Sequence, residues 1–449
     1  MLNDFERRVD EAVGDALEWQ RAPSFSVAIL REGRPVFARA FGSARLDPMV
    51  AATPKTVYNI ASVSKQFACA CILLLAEGGK LTIDDAVAKY FPDVTRAREM
   101  TIRDLMSNVS GIPDHYPLSF ADPDKFRDTT PEEVIERWGS MPLEFDPGTQ
   151  WTYSNVNWYL LGKIIEIVGG LPYASYVRDR IFVPLDMMDT LYNDPPTFPE
   201  GKAINYTAYC LGPMRRAVSE RANWMYAAGG LASTPADLAK WDQALFDGRL
   251  LDDRSFAAMT STYVLKNGKK AGYGFGWFME RRGPYTVVSH DGQIAGFTSH
   301  NVIVPRERVA VAVLTNSDAA RPNVLAAKLL QLVLPNARPA KAKGTSRHPD
   351  VSRVRETFAA FRDGTVDEAS LTSDLRFFLT PERLADAQAG LSEFGEIATA
   401  TREAGGTRGG MSFSTIALTN RRGQRARALM RHTDDGKLAE FNVAPSGER

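Results

Sequence analysis

The stretch Ala61-Ser62-Val63-Ser64-Lys65-Gln66-Phe67, running on into Ala68-Cys69-Ala70-Cys71-Ile72-Leu73-Leu74-Leu75-Ala76, decides how the chain is read. From Phe67 to Ala76 every residue is apolar, the pattern of a helix with no solvent face. Ser62 and Lys65 lie three positions apart at its start, so they share one side of it. A lysine carried into an interior is driven toward its neutral amine, which suits a proton acceptor. A serine at a helix N-terminus has free N–H groups and the positive end of the dipole beside it. The pair therefore reads as a nucleophile with its own base and half an oxyanion hole. Ser-x-x-Lys alone equally describes an N-cap serine followed by a surface lysine, so the rest of the chain has to choose.

Composition narrows the field. The 449 residues suffice for two or three domains, and 44% apolar with 24% charged residues is the balance of an ordinary globular protein. Lys+Arg and Asp+Glu number 54 each, so no charge excess points to nucleic acid or an anionic membrane. No apolar run approaches a membrane span, and Met1-Leu-Asn-Asp-Phe-Glu-Arg-Arg8 carries acids where a secretory signal needs an apolar core. Cys69, Cys71 and Cys210 are too few and wrongly spaced for a metal site or a disulfide framework. The expectation is a reduced, cytoplasmic enzyme with no metal and no cofactor. Its partner would be a small molecule or short peptide, and a homo-oligomer is left open.

Outward from Ser62, Phe5, Val9, Val13, Ala16 and Leu17 space an amphipathic helix over residues 3–19. Phe25–Leu30 and Pro35–Phe41, joined by Arg31-Glu-Gly-Arg34, read as a hairpin. Comparable strands return only at Tyr273–Phe278, Thr286–Ser289, Gly296–Val304 and Arg308–Leu314, closed by a helix over Asn323–Leu334. One antiparallel sheet built from both ends, with a helical middle inserted, is the simplest closure. At Pro335-Asn-Ala-Arg-Pro-Ala-Lys-Ala-Lys-Gly-Thr345 the composition turns polar and proline-bearing. This places a first domain at 1–335, a linker at 336–349 and a small α+β domain at 350–449. In the latter, helices over Val351–Phe361 and Pro381–Leu391 precede strands at Glu396–Arg402, Met411–Leu418, Gln424–Arg431 and Leu438–Val443. Arg425, Arg427 and Arg431 alternate with Ala426, Ala428 and Met430 and read as a solvent face.

Two further triplets join the serine and lysine. Tyr153-Ser154-Asn155 follows a Pro-Gly turn and precedes an apolar helix, and His290-Asp291-Gly292 ends a strand. Ser-x-x-Lys, Tyr-x-Asn and His-x-Gly in that order resemble the class C β-lactamase and penicillin-binding-protein superfamily of active-site serine hydrolases. The resemblance covers about residues 10–335 and includes Phe145-Asp-Pro-Gly148 and Tyr273-Gly-Phe-Gly276. With Trp224-Met225 and Ala228-Gly229 it looks most like the D-aminopeptidase branch.

That resemblance implies a fold: an α+β, β-lactamase/transpeptidase-like domain of antiparallel sheet, flanking helices and helical subdomain. It also implies roles. Ser62 would be the nucleophile and Lys65 its general base. Tyr153 would pass a proton to the leaving group, its pKa lowered by the Lys65 charge. Asn155 would hydrogen-bond Lys65 and the substrate amide, the N–H groups of Ser62 and Gln293 would form the oxyanion hole, and Trp224 would wall the pocket. Most β-lactamases carry lysine where this chain has His290. Histidine, mostly neutral at pH 7, does not supply the fixed charge a substrate carboxylate needs. An amidase, aminopeptidase or esterase is therefore expected ahead of a β-lactamase. Asp291 is the nearest acid to receive a substrate ammonium, although an aspartate at a strand end is also an ordinary turn residue. A catalytically silent scaffold of the same fold is the rival from another class, and it predicts damage to a constellation that is intact here.

Overall fold

Residues 4–118, 121–198, 200–338 and 344–446 of the computed structural model are described. Strand β1 (Ser24–Arg31) is buried along all but its last residue, and its alternate side chains serve two cores. Val27 and Ile29 point to one cluster, and Ala28 and Leu30 to the other. On its two sides lie β2 (Arg34–Leu46), pairing Phe25 with Phe41, and the chain-distant β7 (Val309–Thr315), pairing Phe25 with Thr315. The remaining strands are β3 (Met49–Ala51), β4 (Phe278–Arg282), β5 (Tyr285–Ile294) and β6 (Phe297–Val304). They complete a seven-stranded antiparallel sheet in the order β3-β2-β1-β7-β6-β5-β4, built from both ends of the first 335 residues as expected.

Helices α1 (Asp4–Gln20) and α5 (Pro322–Val333) cover one face, with Val9, Val13, Leu325 and Leu329 packed on Val27 and Val311. The other face carries the inserted helical middle around α2 (Ser64–Glu77), α3 (Val156–Gly169) and α4 (Pro235–Phe246). Phe67 stacks within 4.3 Å of Trp241, and Trp158 and Trp241 are fully buried. α2 is buried nearly all round, so its lysine has nowhere to go but inward.

Three details differ from the sequence reading. Ser62 sits in a single 3-10 turn, Ala61–Val63, that feeds α2, and Ala61 adopts φ 45°. That left-handed conformation at a non-glycine residue is a strained turn immediately before the serine. Strand β5 runs on to Ile294, so Asp291 is a mid-strand residue paired with His300 rather than a turn former. Tyr273 precedes its strand, which begins at Phe278.

The C-terminal residues form a four-stranded meander, β8 (Ile397–Arg408), β9 (Met411–Asn420), β10 (Arg425–His432) and β11 (Leu438–Pro445). Helices α6 (Pro349–Asp363) and α8 (Pro381–Phe394), on either side of the short α7 (Ser373–Phe378), supply its core with Phe358, Phe361 and Leu391. Thr380 caps α8 through the N–H of Arg383, with proline at the first helical position. This core is not self-contained: Leu118, Ala121, Tyr209 and Cys210 from the first part are buried in the same cluster. Residues 339–343 of the expected linker lie outside the described residues. Among the described residues no helix is long and apolar enough to cross a membrane.

Candidate active site

A cavity of about 370 Å³ opens at the junction of sheet, helical middle and C-terminal meander. Ser62, Tyr153, Asn155, His290, Asp291 and Gln293 line it. Lys65 lies directly beneath, with no exposed surface. Its Nζ is 3.0 Å from Ser62 Oγ, 2.8 Å from Asn155 Oδ1 and 2.7 Å from the Ala228 carbonyl oxygen. Burial holds this lysine well below the ordinary ammonium range; Asp114 pulls it back up and Arg408 opposes Asp114. A neutral amine is compatible with these three partners. Two N–H groups satisfy the two oxygens that can only accept, Asn155 Oδ1 and Ala228 O, and the lone pair is left facing the Ser62 hydroxyl.

Asn155 is held in turn. Asp114 Oδ1 accepts from the Asn155 N–H at 2.9 Å and from its Nδ2 at 3.2 Å, which fixes the amide with Oδ1 toward Lys65. Tyr153 shares a hydrogen bond with Ser62, but its phenol is pushed up, not down. Burial is the largest influence, and Lys65, driven toward neutrality, supplies no charge to offset it. Whatever lowering Tyr153 receives comes from Ser62 and Arg408.

His290 is buried with both ring nitrogens occupied. Its Nδ1 is 2.6 Å from the Asp291 carbonyl and its Nε2 is 2.9 Å from the Tyr273 hydroxyl. The carbonyl can only accept, so Nδ1 carries the proton and Nε2 accepts from Tyr273. Burial pushes the imidazole down to about 3, so the ring is neutral and no fixed charge stands in its place. Asp291 accepts from His300 Nδ1 at 2.7 Å, while its side chain stays 59% exposed toward the cavity. His300 is thereby partnered, and His348 caps α6 by accepting from the Asp350 N–H. Gly292 lines an adjoining crevice rather than this cavity, and its contribution is close approach. A Cβ there would stand 2.1 Å from the Ile60 carbonyl oxygen, two residues before Ser62.

Trp224 does not line the Ser62 cavity. It is 2% exposed, with its ring 4.9 Å from His115 and 5.4 Å from Tyr116, inside an aromatic box beneath the site. Its neighbour Met225 reaches the cavity instead. His115 belongs to the same box, and burial pushes it down to about 4.

The cavity also holds residues that sequence reading missed. Tyr116, Leu118, Trp151 and Phe278 make an aromatic and apolar mouth. Thr407, Arg408, Phe413 and Arg431 come from the C-terminal meander. Arg431, read as part of a solvent face, is 5% exposed and ion-paired to the buried Glu440. Nothing local marks Arg408, which follows two glycines and a threonine in sequence. Among the described residues no cluster of histidine, cysteine, aspartate and glutamate could hold a metal ion.

Comparison with known proteins agrees with this geometry. The Beta-lactamase family model matches residues 9–334. A D-aminopeptidase of Gluconobacter oxydans is 25% identical over 90% of this chain and 76% of its own length. A D-aminopeptidase of Brucella anthropi is 31% identical over 70% of this chain, which spans only 60% of that protein. Among solved structures, the D-amino acid amidase of Ochrobactrum anthropi SV3 with D-phenylalanine superposes at a TM-score of 0.65. It is 27% identical and covers 74% of this chain and 99% of its own. The octameric penicillin-binding protein homologue of Pyrococcus abyssi, 22% identical, shares the fold at a TM-score of 0.66 over 98% of this chain and 100% of its own. With a family match over most of its length and an intact Ser62–Lys65–Tyr153 constellation, the chain belongs to the beta-lactamase family, among the serine hydrolases related to D-aminopeptidases.

Proposed function

We propose that the chain hydrolyses an amide, most plainly that of a D-amino acid or short D-terminal peptide, through an acyl-enzyme on Ser62. The observation that carries this reading is the buried Lys65 side chain, its Nζ 3.0 Å from Ser62 Oγ and held by Asn155 and Ala228. Ser62 Oγ attacks the acyl carbon while its proton passes to Lys65 Nζ. The negative charge on the carbonyl oxygen is met by the N–H groups of Ser62 and Gln293. Tyr153, hydrogen-bonded to Ser62, hands a proton to the departing nitrogen and is resupplied from Lys65. Water then takes the amine's place, and its attack releases the acid and restores Ser62.

The charges around Ser62 favour an amine-bearing substrate over a carboxylate-bearing one. His290 is neutral and has no free nitrogen, whereas the Asp291 carboxylate faces the cavity and suits a substrate ammonium. A β-lactam carboxylate has no such counter-charge at His290. The reading treats residues 1–335 as the hydrolase domain, 336–349 as linker and 350–449 as a domain that closes the site. Three free, buried cysteines suit a reduced, cytoplasmic setting. Self-association is part of the proposal, prompted by the octameric Pyrococcus abyssi homologue and read by sedimentation.

The test is intact mass and turnover with a fluorophosphonate, D- and L-alanyl p-nitroanilide, p-nitrophenyl acetate and a penicillin, on wild type and Ser62→Ala. A wild-type adduct absent from the variant, with the D-anilide turned over faster than the L-anilide, is the expected result. Turnover of the ester alone would replace amidase by esterase, and an unlabelled Ser62 would refute hydrolysis.

A further inference from the structure

The hairpin between β8 and β9 turns at Gly409-Gly410, with φ 57° and 71°, and delivers Arg408 to the Ser62 cavity, beside Asp114, which lies 294 residues earlier in sequence. Its guanidinium forks onto one carboxylate oxygen: Nε is 2.8 Å and Nη2 2.5 Å from Asp114 Oδ2, and Nη2 also donates to the Tyr116 carbonyl at 3.0 Å. The other oxygen of Asp114 holds the backbone and side-chain amides of Asn155. Asn155 Oδ1 holds Lys65. The guanidinium carbon also stands 4.9 Å from the centre of the Tyr153 ring.

We propose that Arg408 is a positioning residue for the reaction, reaching Lys65 through Asp114 and Asn155, so that the C-terminal domain completes the catalytic machinery rather than decorating it. The proposal rests on the reading of Lys65 as the base of Ser62. The reasoning is one of burial and charge. The Asp114 side chain has no exposed surface, and a lone carboxylate there would be costly. Facing the same base, it would also favour the ammonium form of Lys65. Arg408 removes both problems, balancing the charge and leaving Asp114 free to orient Asn155. The other groups around Lys65 add no net charge: Ser62, Tyr153 and Asn155 on one side, Cys69 one turn along α2, and the two neutral imidazoles His115 and His290. Burial sets the proton affinity of the base in the main, and Asp114 and Arg408 are the pair of charges that tune it. Removing Arg408 raises it, and removing Asp114 alone lowers it.

The experiment follows the rate of Ser62 labelling by a fluorophosphonate from pH 5 to pH 10 on the full chain, by intact mass, with a thermal melt on each variant. Arg408→Ala is expected to label about 10- to 100-fold more slowly. The rise of its rate with pH should move upward by about one unit. Arg408→Lys, which keeps charge but loses the fork, should fall between Arg408→Ala and wild type. Adding Asp114→Asn to Arg408→Ala removes both charges and should return the pH profile toward that of wild type. Asp114→Asn alone should move it downward, and with Arg408→Lys it keeps the test in force if Arg408→Ala fails to fold. An unmoved pH profile in folded variants, whether or not the rate falls, would reduce Arg408 to a docking contact and overturn the proposal. An unlabelled wild-type Ser62 would refute the hydrolase reading and this inference with it, a result distinct from labelled variants with unmoved profiles.

Discussion

His290→Gln separates a neutral structural imidazole from a charged substrate-binding one. The glutamine side chain can reproduce both hydrogen bonds, donating to the Asp291 carbonyl and accepting from the Tyr273 hydroxyl, so the pH dependence of its cost is the informative quantity. The ring is 1% exposed, and burial pushes it down to about 3, with the Asp291 carbonyl and carboxylate opposing. Unfolded, a histidine titrates near 6.5. As pH falls through that value the unfolded chain takes up the proton and the folded chain does not. His290 therefore costs stability progressively from about pH 6.5 downward, and nothing above it. Between pH 8 and pH 5 the loss works out at about 2 kcal/mol.

Wild type alone hides this loss. His115, pushed down to about 4, adds about 2 kcal/mol in the same direction. Asp122, Asp194 and Asp318, each pushed up to about 6 by burial, oppose it. Their folded forms take the proton first on acidification, gaining about 1.4 kcal/mol each over the same span. Asp242, pushed well up by burial, and His432, pushed down, also shift in opposite directions, so the difference between variant and wild type is the measurement to make. Urea unfolding followed by the fluorescence of the seven tryptophans, at pH 8 and pH 5, gives it. Whatever His290→Gln costs at pH 8, that cost should fall by about 2 kcal/mol at pH 5. An equal cost at both pH values would refute the reasoning. The imidazole would then titrate normally, and the argument against a substrate carboxylate would lose its basis.

Other substitutions read other parts of the site. Gly292→Ala drives a methyl group into the Ile60 carbonyl and the Ser299 hydroxyl, 2.1 and 2.2 Å away. It should cost about 1 to 3 kcal/mol in a urea melt. It should also slow Ser62 labelling about 100-fold by parting β5 from the nucleophile turn; labelling at the wild-type rate would show that the turn tolerates the displacement. Asn155→Ala frees Lys65 Nζ of its 2.8 Å acceptor and should lower kcat for the D-anilide about 100-fold with a smaller change in KM. Truncation after Arg338 uncovers Leu118, Ala121, Tyr209 and Cys210. The product should aggregate and lose labelling, whereas a soluble, fully labelled fragment would mark the C-terminal domain as separable.

The sheet, the buried α2 and the order Ser62, Lys65, Tyr153, Asn155, His290 were legible because each is written locally. Periodicity marks the strands, an unbroken apolar run marks the helix, and short spacings place the reactive side chains. What escaped is what depends on partners distant in sequence. Asp114 belongs to none of the motifs read from the sequence, yet it holds Asn155. Trp224 was assigned to the pocket by family resemblance, but its ring packs on His115 and Tyr116. Arg431 obeyed the alternation of a solvent-facing strand, but Glu440, one strand over, pairs it in the interior. Alternation reports which face of a strand a residue occupies, not what covers that face.

The same gap explains the most consequential omission. A strand read as ending at Arg402 left Arg408 in a nameless glycine-rich turn, when the strand continues and the glycines serve to bend its tip into another domain's cavity. An arginine there is costly to bury unless a carboxylate waits for it, and the carboxylate lies 294 residues earlier. Each member of the pair is unfavourable alone, so neither announces itself in its own segment. Coupled, they tie the closure of the C-terminal domain to the charge balance around Lys65.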